Sequence, residues 1–134
     1  MIVLFMLIFG FSCATTNKTK LNPNILNGTW KPVKQEIGGK ELPALVYEKQ
    51  MLIIQDSTYT VIAESTDKGT VKYKDGKLDI YGKEGVNAGK HFTALYSIEN
   101  GQLKVCYNLS GESYPESFET MGKPKYFLSV FKKE

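Results

Sequence analysis

Few side chains in this 134-residue chain are equipped for chemistry. His91 is the one imidazole, it stands beside Lys90, and a single histidine supplies neither a multi-histidine metal site nor a general-base relay. It reads as a solvated residue at a strand end. Cys106 lies inside Leu103-Lys104-Val105-Cys106-Tyr107, on the face opposite Val105 and Tyr107. A thiol so placed behaves as a small hydrophobe and not as a nucleophile. The acids Asp67, Asp75, Asp79, Glu84, Glu112, Glu116 and Glu119 fall mostly in expected turns and loops without calcium-loop spacing, so they read as solubility charges. The glycine-bearing segment Gly82 to Lys90 lacks the spacing and the following helix of a phosphate cradle. These residues predict no catalytic centre, no metal and no cofactor; the chain is not expected to be an enzyme.

The aromatic residues are the better lead. Tyr59, Tyr73, Tyr81, Phe92, Tyr96, Tyr107, Phe118 and Tyr126 are spread over different segments, and tyrosine joins an apolar ring to a polar tip, as ligand cavities require. Trp30, Tyr59, Tyr73, Tyr96, Tyr107 and Phe118 are the expected ligand-binding residues. The plainer alternative, that such rings simply fill a core, stays open. Nucleic acid is not an expected partner: all 17 basic residues are lysines, scattered among 14 acids, and the arginine fork that grips phosphates and guanine edges is missing.

The elements that must position these rings are strands. From Gly28 onward no 3.6-residue period persists, while β-branched and aromatic residues alternate with polar ones between turn signals. Strands are expected over 28–36, 50–55, 58–64, 70–74, 78–81, 91–98, 102–108 and 125–132. Asp75-Gly76 and Asn100-Gly101 carry the chemistry of type I′ hairpins, and Asp56-Ser57 a weaker hairpin signal. Only residues 44–49 invite a helical turn or a crossover. Alternation sets Tyr59, Val61 and Ala63 on one face of their strand, and Phe92, Ala94, Tyr96 and Ile98 on one face of theirs. About eight short antiparallel strands joined in sequence favour an up-and-down barrel, with an interior that side chains just fill or that holds one small ligand. Residues 82–90 then read as a mobile loop at the barrel mouth. Residues 109–124 form a long loop of the kind that often binds or covers a ligand.

Ahead of this body, Met1 to Phe11 form an uncharged apolar run closed by Ser12-Cys13-Ala14 and a polar stretch. At ~1.5 Å per helical residue it reaches roughly 17 Å, too short to span a bilayer and suited to a signal peptide. A small residue before a Cys that ends such a run resembles the lipobox of bacterial lipoproteins. The resemblance implies removal of residues 1–12, diacylation of Cys13, and a tether over 13–25. An ordinary secretory signal with Cys13 paired to Cys106, or a cytosolic chain with an apolar first strand, are the alternatives.

Asn27-Gly28-Thr29-Trp30 carries the Gly-x-Trp that opens the first strand of lipocalins. Together with Leu26 to Val33, Gly39 to Pro43, Gly101 to Tyr107, Pro115 to Phe118 and the closing strand Tyr126 to Lys132, it resembles the lipocalin-like domain family of bacterial proteins over residues 26–134. The resemblance implies an eight-stranded lipocalin-like (calycin) barrel. Lipocalins lay a late arginine over that tryptophan; here Lys132 or Lys133 is expected to take its place. The combined expectation is a monomeric, lipid-anchored protein of the bacterial cell envelope, with Trp30 at the closed end of the barrel. Its expected partner is a small hydrophobic or amphipathic molecule or, with a filled barrel, another envelope protein.

Overall fold

The computed structural model of the protein describes residues 25–134. The expected signal peptide, Cys13 and the tether up to residue 24 lie outside the described residues. The alternating pattern becomes β1 (Gly28–Ile37), β2 (Lys40–Glu41), α1 (Ala44–Tyr47), β3 (Met51–Gln55), β4 (Thr58–Ile62), β5 (Thr66–Lys74), β6 (Lys77–Glu84), β7 (His91–Glu99), β8 (Gln102–Asn108) and β9 (Tyr126–Lys133). Strands adjacent in sequence pair antiparallel, and β1 pairs with β9 from Trp30↔Lys133 to Ile37↔Phe127. That last ladder closes β1 and β3 to β9 into an eight-stranded up-and-down barrel, with β2 a short addition to β1. Closure pairs the edges that an open sheet would leave exposed.

Local chemistry accounts for most of the turns. Asp75 and Gly76 have φ of 53° and 78°, Asn100 and Gly101 of 52° and 74°, the two positive angles that a type I′ hairpin requires. Two strands run well beyond expectation: β5 starts at Thr66 instead of Thr70 and β6 runs to Glu84 instead of Tyr81. Asp67-Lys68-Gly69 carries turn chemistry, yet it is strand because Gly69 lies opposite Tyr59 and gives that ring room. A Cβ at Gly69 would stand 2.7 Å from Tyr59 Cε1 and collide with the Tyr81 carbonyl. β4 stops two residues short of the expected bound, at Ile62, where the Ala63 N–H donates to the Ser65 carbonyl.

Alternating strand direction gathers the three tight hairpins, the start of β1 and the end of β9 at one end of the barrel. There Trp30 is 2% exposed, and its indole N–H donates to the Leu26 carbonyl at 2.9 Å. Lys133 Nζ lies 5.6 Å from the centre of the Trp30 ring, so a lysine does take the arginine's place. The same lysine explains Gly28: its φ is +140°, and a Cβ there would meet Lys133 Cε at 2.6 Å.

The mouth is built differently. β1 pairs with β3 only over Gly28–Trp30. Beyond that, Pro32 has no N–H to offer, and the register of β1 against β9 slips at Val33. α1, the helical turn expected within 44–49, packs beside this stretch of β1, and the Tyr47 hydroxyl donates to the Val33 carbonyl at 3.2 Å. The 85–90 connection is at the mouth as expected, but its own hydrogen bonds brace it, among them Gly82 N–H to Lys90 O at 2.9 Å and Gly89 N–H to Gly82 O at 3.0 Å.

The 109–125 connection is a strap. The Ser113 carbonyl accepts from Thr93 and Asn108, Tyr114 donates to Asp79, and fully buried Thr120 donates to Glu36 while accepting from the Gly39 N–H. Cys106 faces away from the barrel interior yet is 0% exposed, a thiol with no disulfide partner among the described residues. Burial, with a smaller contribution from Glu36, pushes that thiol up to about 11, which makes it a poor nucleophile.

Candidate ligand-binding site

Inward-facing positions of all eight strands enclose a cavity of about 250 Å³. That is just below the ~300–1,000 Å³ of pockets that hold drug-sized ligands, so its occupant is small. Leu26, Leu52, Ile54, Val71, Leu78 and Phe131 give it an apolar floor, and Val61, Ile80, Phe92, Val105, Leu109 and Phe127 continue the wall. Into this apolar surface project Gln35, Gln50, Tyr59, Asp67, Asn87, Tyr107 and Ser129.

Three of these polar groups are tied together. Gln35 is 3% exposed, and its amide N–H donates to Gln50 Oε1 at 2.9 Å and to Ser129 Oγ at 3.3 Å. The Gln50 amide in turn donates to the Val46 carbonyl at 3.1 Å, fixing α1 to the cavity wall. The tyrosines differ. Whereas the hydroxyls of Tyr47, Tyr114 and Tyr126 are hydrogen-bonded, those of Tyr59 and Tyr107 have no such partner among the described residues. No buried side-chain oxygen or nitrogen among the described residues is left unsatisfied, so both hydroxyls keep accessible surface, and both residues line the cavity. Burial raises the pKa of both, with Asp67 adding to the effect on Tyr59 and Tyr59 to that on Tyr107. Both therefore stay neutral phenols able to donate and accept.

Of the six aromatic residues expected to bind ligand, Tyr59 and Tyr107 line the cavity. Trp30 seals the closed end beneath it and is not among the lining residues. Tyr73 and Tyr96 pack edge to face, with ring centres 6.2 Å apart, against the core instead of along the cavity. Phe118, on the strap, lines a separate groove on the outer wall with Val33, Leu128 and Val130. Asp67 corrects the reading of the acids as solubility charges: it is 8% exposed and faces inward. The signal for it was the period-two series Asp67, Gly69, Val71 and Tyr73, which continues the inward face of β5.

His91 stands on the outer wall, its Nε2 2.8 Å from Asp79 Oδ1 and its ring stacked on Tyr81 at 4.5 Å. The carboxyl of Asp79 is raised by burial, but hydrogen bonds from Tyr114 and His91 outweigh this and hold it below the usual range. The trio clasps the strap to the barrel. Among the described residues no three His, Cys, Asp or Glu side chains converge as a metal site, and no helix is long and apolar enough to cross a membrane.

No protein-family model matches the chain, and no curated protein does. Among solved structures, an uncharacterised protein from Bacteroides eggerthii is similar, with a TM-score of 0.50 and 10% identity over 81% of this chain and 98% of that one. At that identity the likeness concerns the fold alone.

Proposed function

We propose that this chain is a lipocalin-like protein, anchored to the cell envelope through Cys13, whose barrel binds a small amphipathic molecule. The observation that carries the reading is the apolar cavity of about 250 Å³ lined by Tyr59 and Tyr107 with their unpartnered hydroxyls. The protein itself leaves these two phenols without partners among the described residues, and a ligand with an apolar body and one polar end would satisfy both parts of the wall. Native mass spectrometry of the full chain from its own host, followed by organic extraction, is expected to yield about one small molecule per chain. Ile80→Trp, which adds bulk at the cavity wall, is expected to abolish that yield; an equal yield from the variant would place binding elsewhere. For the anchor, Cys13→Ala is expected to move the protein out of the detergent phase, and unchanged partition would overturn the lipoprotein assignment.

A second reading, docking to another envelope protein, is favoured by one observation. Leu45, Val86 and Met121, from three separate mouth connections, are 81%, 69% and 69% exposed. Such a rim would mark an interface if the cavity proved empty in the native host.

A further inference from the structure

Asp67 is the one carboxylate among the residues that line the cavity. It comes from β5, is 8% exposed, and its Oδ1 accepts a single backbone hydrogen bond, from Asn87 N–H at 3.3 Å. The ion pairs of the described residues, Lys31–Glu134, Lys34–Glu36 and His91–Asp79, do not include it. Since no buried side-chain oxygen among the described residues lacks a partner, Oδ2 keeps accessible surface, and Asp67 lines the cavity. A carboxylate withdrawn from water into apolar surroundings is unfavourable unless a cation or several donors meet it. Here the protein brings one long backbone hydrogen bond, and Asp67 is near enough to Tyr59, and Tyr59 to Tyr107, for each to act electrostatically on the next.

From this placement we infer that the cavity selects amphiphiles whose polar end is a protonated amine, received by Asp67 with the Tyr59 and Tyr107 hydroxyls. A primary ammonium carries three donors and no acceptor, and the three side chains offer three acceptor groups. The phenol rings of Tyr59 and Tyr107 add the negative faces that attract a cation. An anionic headgroup would instead meet Asp67 across a low-dielectric space and be repelled. The alkyl portion would lie along Val71, Leu78 and Leu103. The inference rests on the cavity being the binding site and adds the class of its ligand. Asp67 also holds the mouth connection through Asn87, so a variant at this position reports on both roles.

Isothermal titration calorimetry of the full chain with n-decylamine, n-decanol and n-decanoate at pH 7, below micelle-forming concentrations, separates them. In the wild type the amine is expected to bind at least tenfold more tightly than the alcohol, and the carboxylate most weakly. Asp67→Asn is expected to bring amine and alcohol to within about threefold, with the alcohol's affinity little changed. A purely structural Asp67 would shift all three probes together. Equal wild-type affinities, or tighter binding of the carboxylate, would overturn the amine assignment and leave the cavity reading standing. Failure of all three probes to bind, with Ile80→Trp behaving as wild type, would overturn both. The wild-type ratio decides the matter even if the Asn variant does not fold.

Discussion

The two ends of the barrel solve opposite problems with the same chain. At the closed end every feature reduces access: hairpins of two residues, an indole 2% exposed and hydrogen-bonded to Leu26, and a lysine laid over both Trp30 and Gly28. At the mouth the β1–β3 ladder gives out after Trp30, α1 packs against β1 beyond it, and Leu109 both lines the cavity and is 38% exposed. Polar groups follow the same division. The glutamines, Asp67 and Asn87 come from the mouth half of their strands and loops, whereas the floor is apolar. Stability is therefore expected to concentrate at one end and recognition at the other, an arrangement that separates the residues needed to fold from those free to specify a ligand.

The sharpest way to break this division is to attack the closed end. Trp30→Ala removes a buried ring and orphans the Leu26 carbonyl, and is expected to lower unfolding stability by ~3–5 kcal/mol in urea titrations. Leu45→Ser at the rim, 81% exposed, is expected to change it by less than ~0.5 kcal/mol. Equal losses from the two would mean that the mouth is as integral to folding as the floor.

A smaller effect tests the outer wall between the two ends. The Cys106 thiol has a folded-state pKa of about 11 against an ordinary 9.0. The folded form thus favours the protonated thiol, so its stabilising contribution is complete below about pH 9 and is lost as pH rises through about 11. The melting temperature of wild type is expected to fall across pH 9–11 more steeply than that of Cys106→Ala. Identical slopes would show that burial does not hold the thiol protonated. Tyr59 and Tyr107, also raised, add to the alkaline loss in both proteins and cancel in the comparison.

The sequence made the closed end far more legible than the mouth, for a physical reason. Asp75-Gly76, Asn100-Gly101 and Gly28-x-Trp30 encode their geometry within two or three residues, because positive φ and a missing Cβ are local properties. Period-two alternation likewise put Phe92 and Ala94 on one face of their strand, and that face is the inward one. The mouth depends on longer connections whose direction no local signal carries. Asp67-Lys68-Gly69 looks like a turn until Tyr59 is placed across Gly69, which makes it a strand and aims Asp67 inward. Phe118 looks like part of a lid until Tyr114 and Thr120 are seen to pin the strap to the outer wall. Trp30, Tyr73 and Tyr96 face inward as expected, but which inward rings border a void and which fill the core is a matter of packing across the whole barrel, beyond the reach of any strand's own pattern.

The subtlest test concerns the lysine laid over Trp30. Lys133 is solvent-exposed, so its charge over the indole is worth only ~0.5–1 kcal/mol, while its alkyl stem covers Gly28 and part of Trp30. Lys133→Met keeps a flexible stem and removes the charge; Lys133→Ala removes both. The Met variant is expected to lose about the cation–π increment and the Ala variant clearly more, both read from denaturation midpoints, with Trp30 emission reporting water at the closed end. If Met matches wild type while Ala does not, coverage by the stem is what seals this end. The charge would then be incidental, and the lysine would act as an apolar cap.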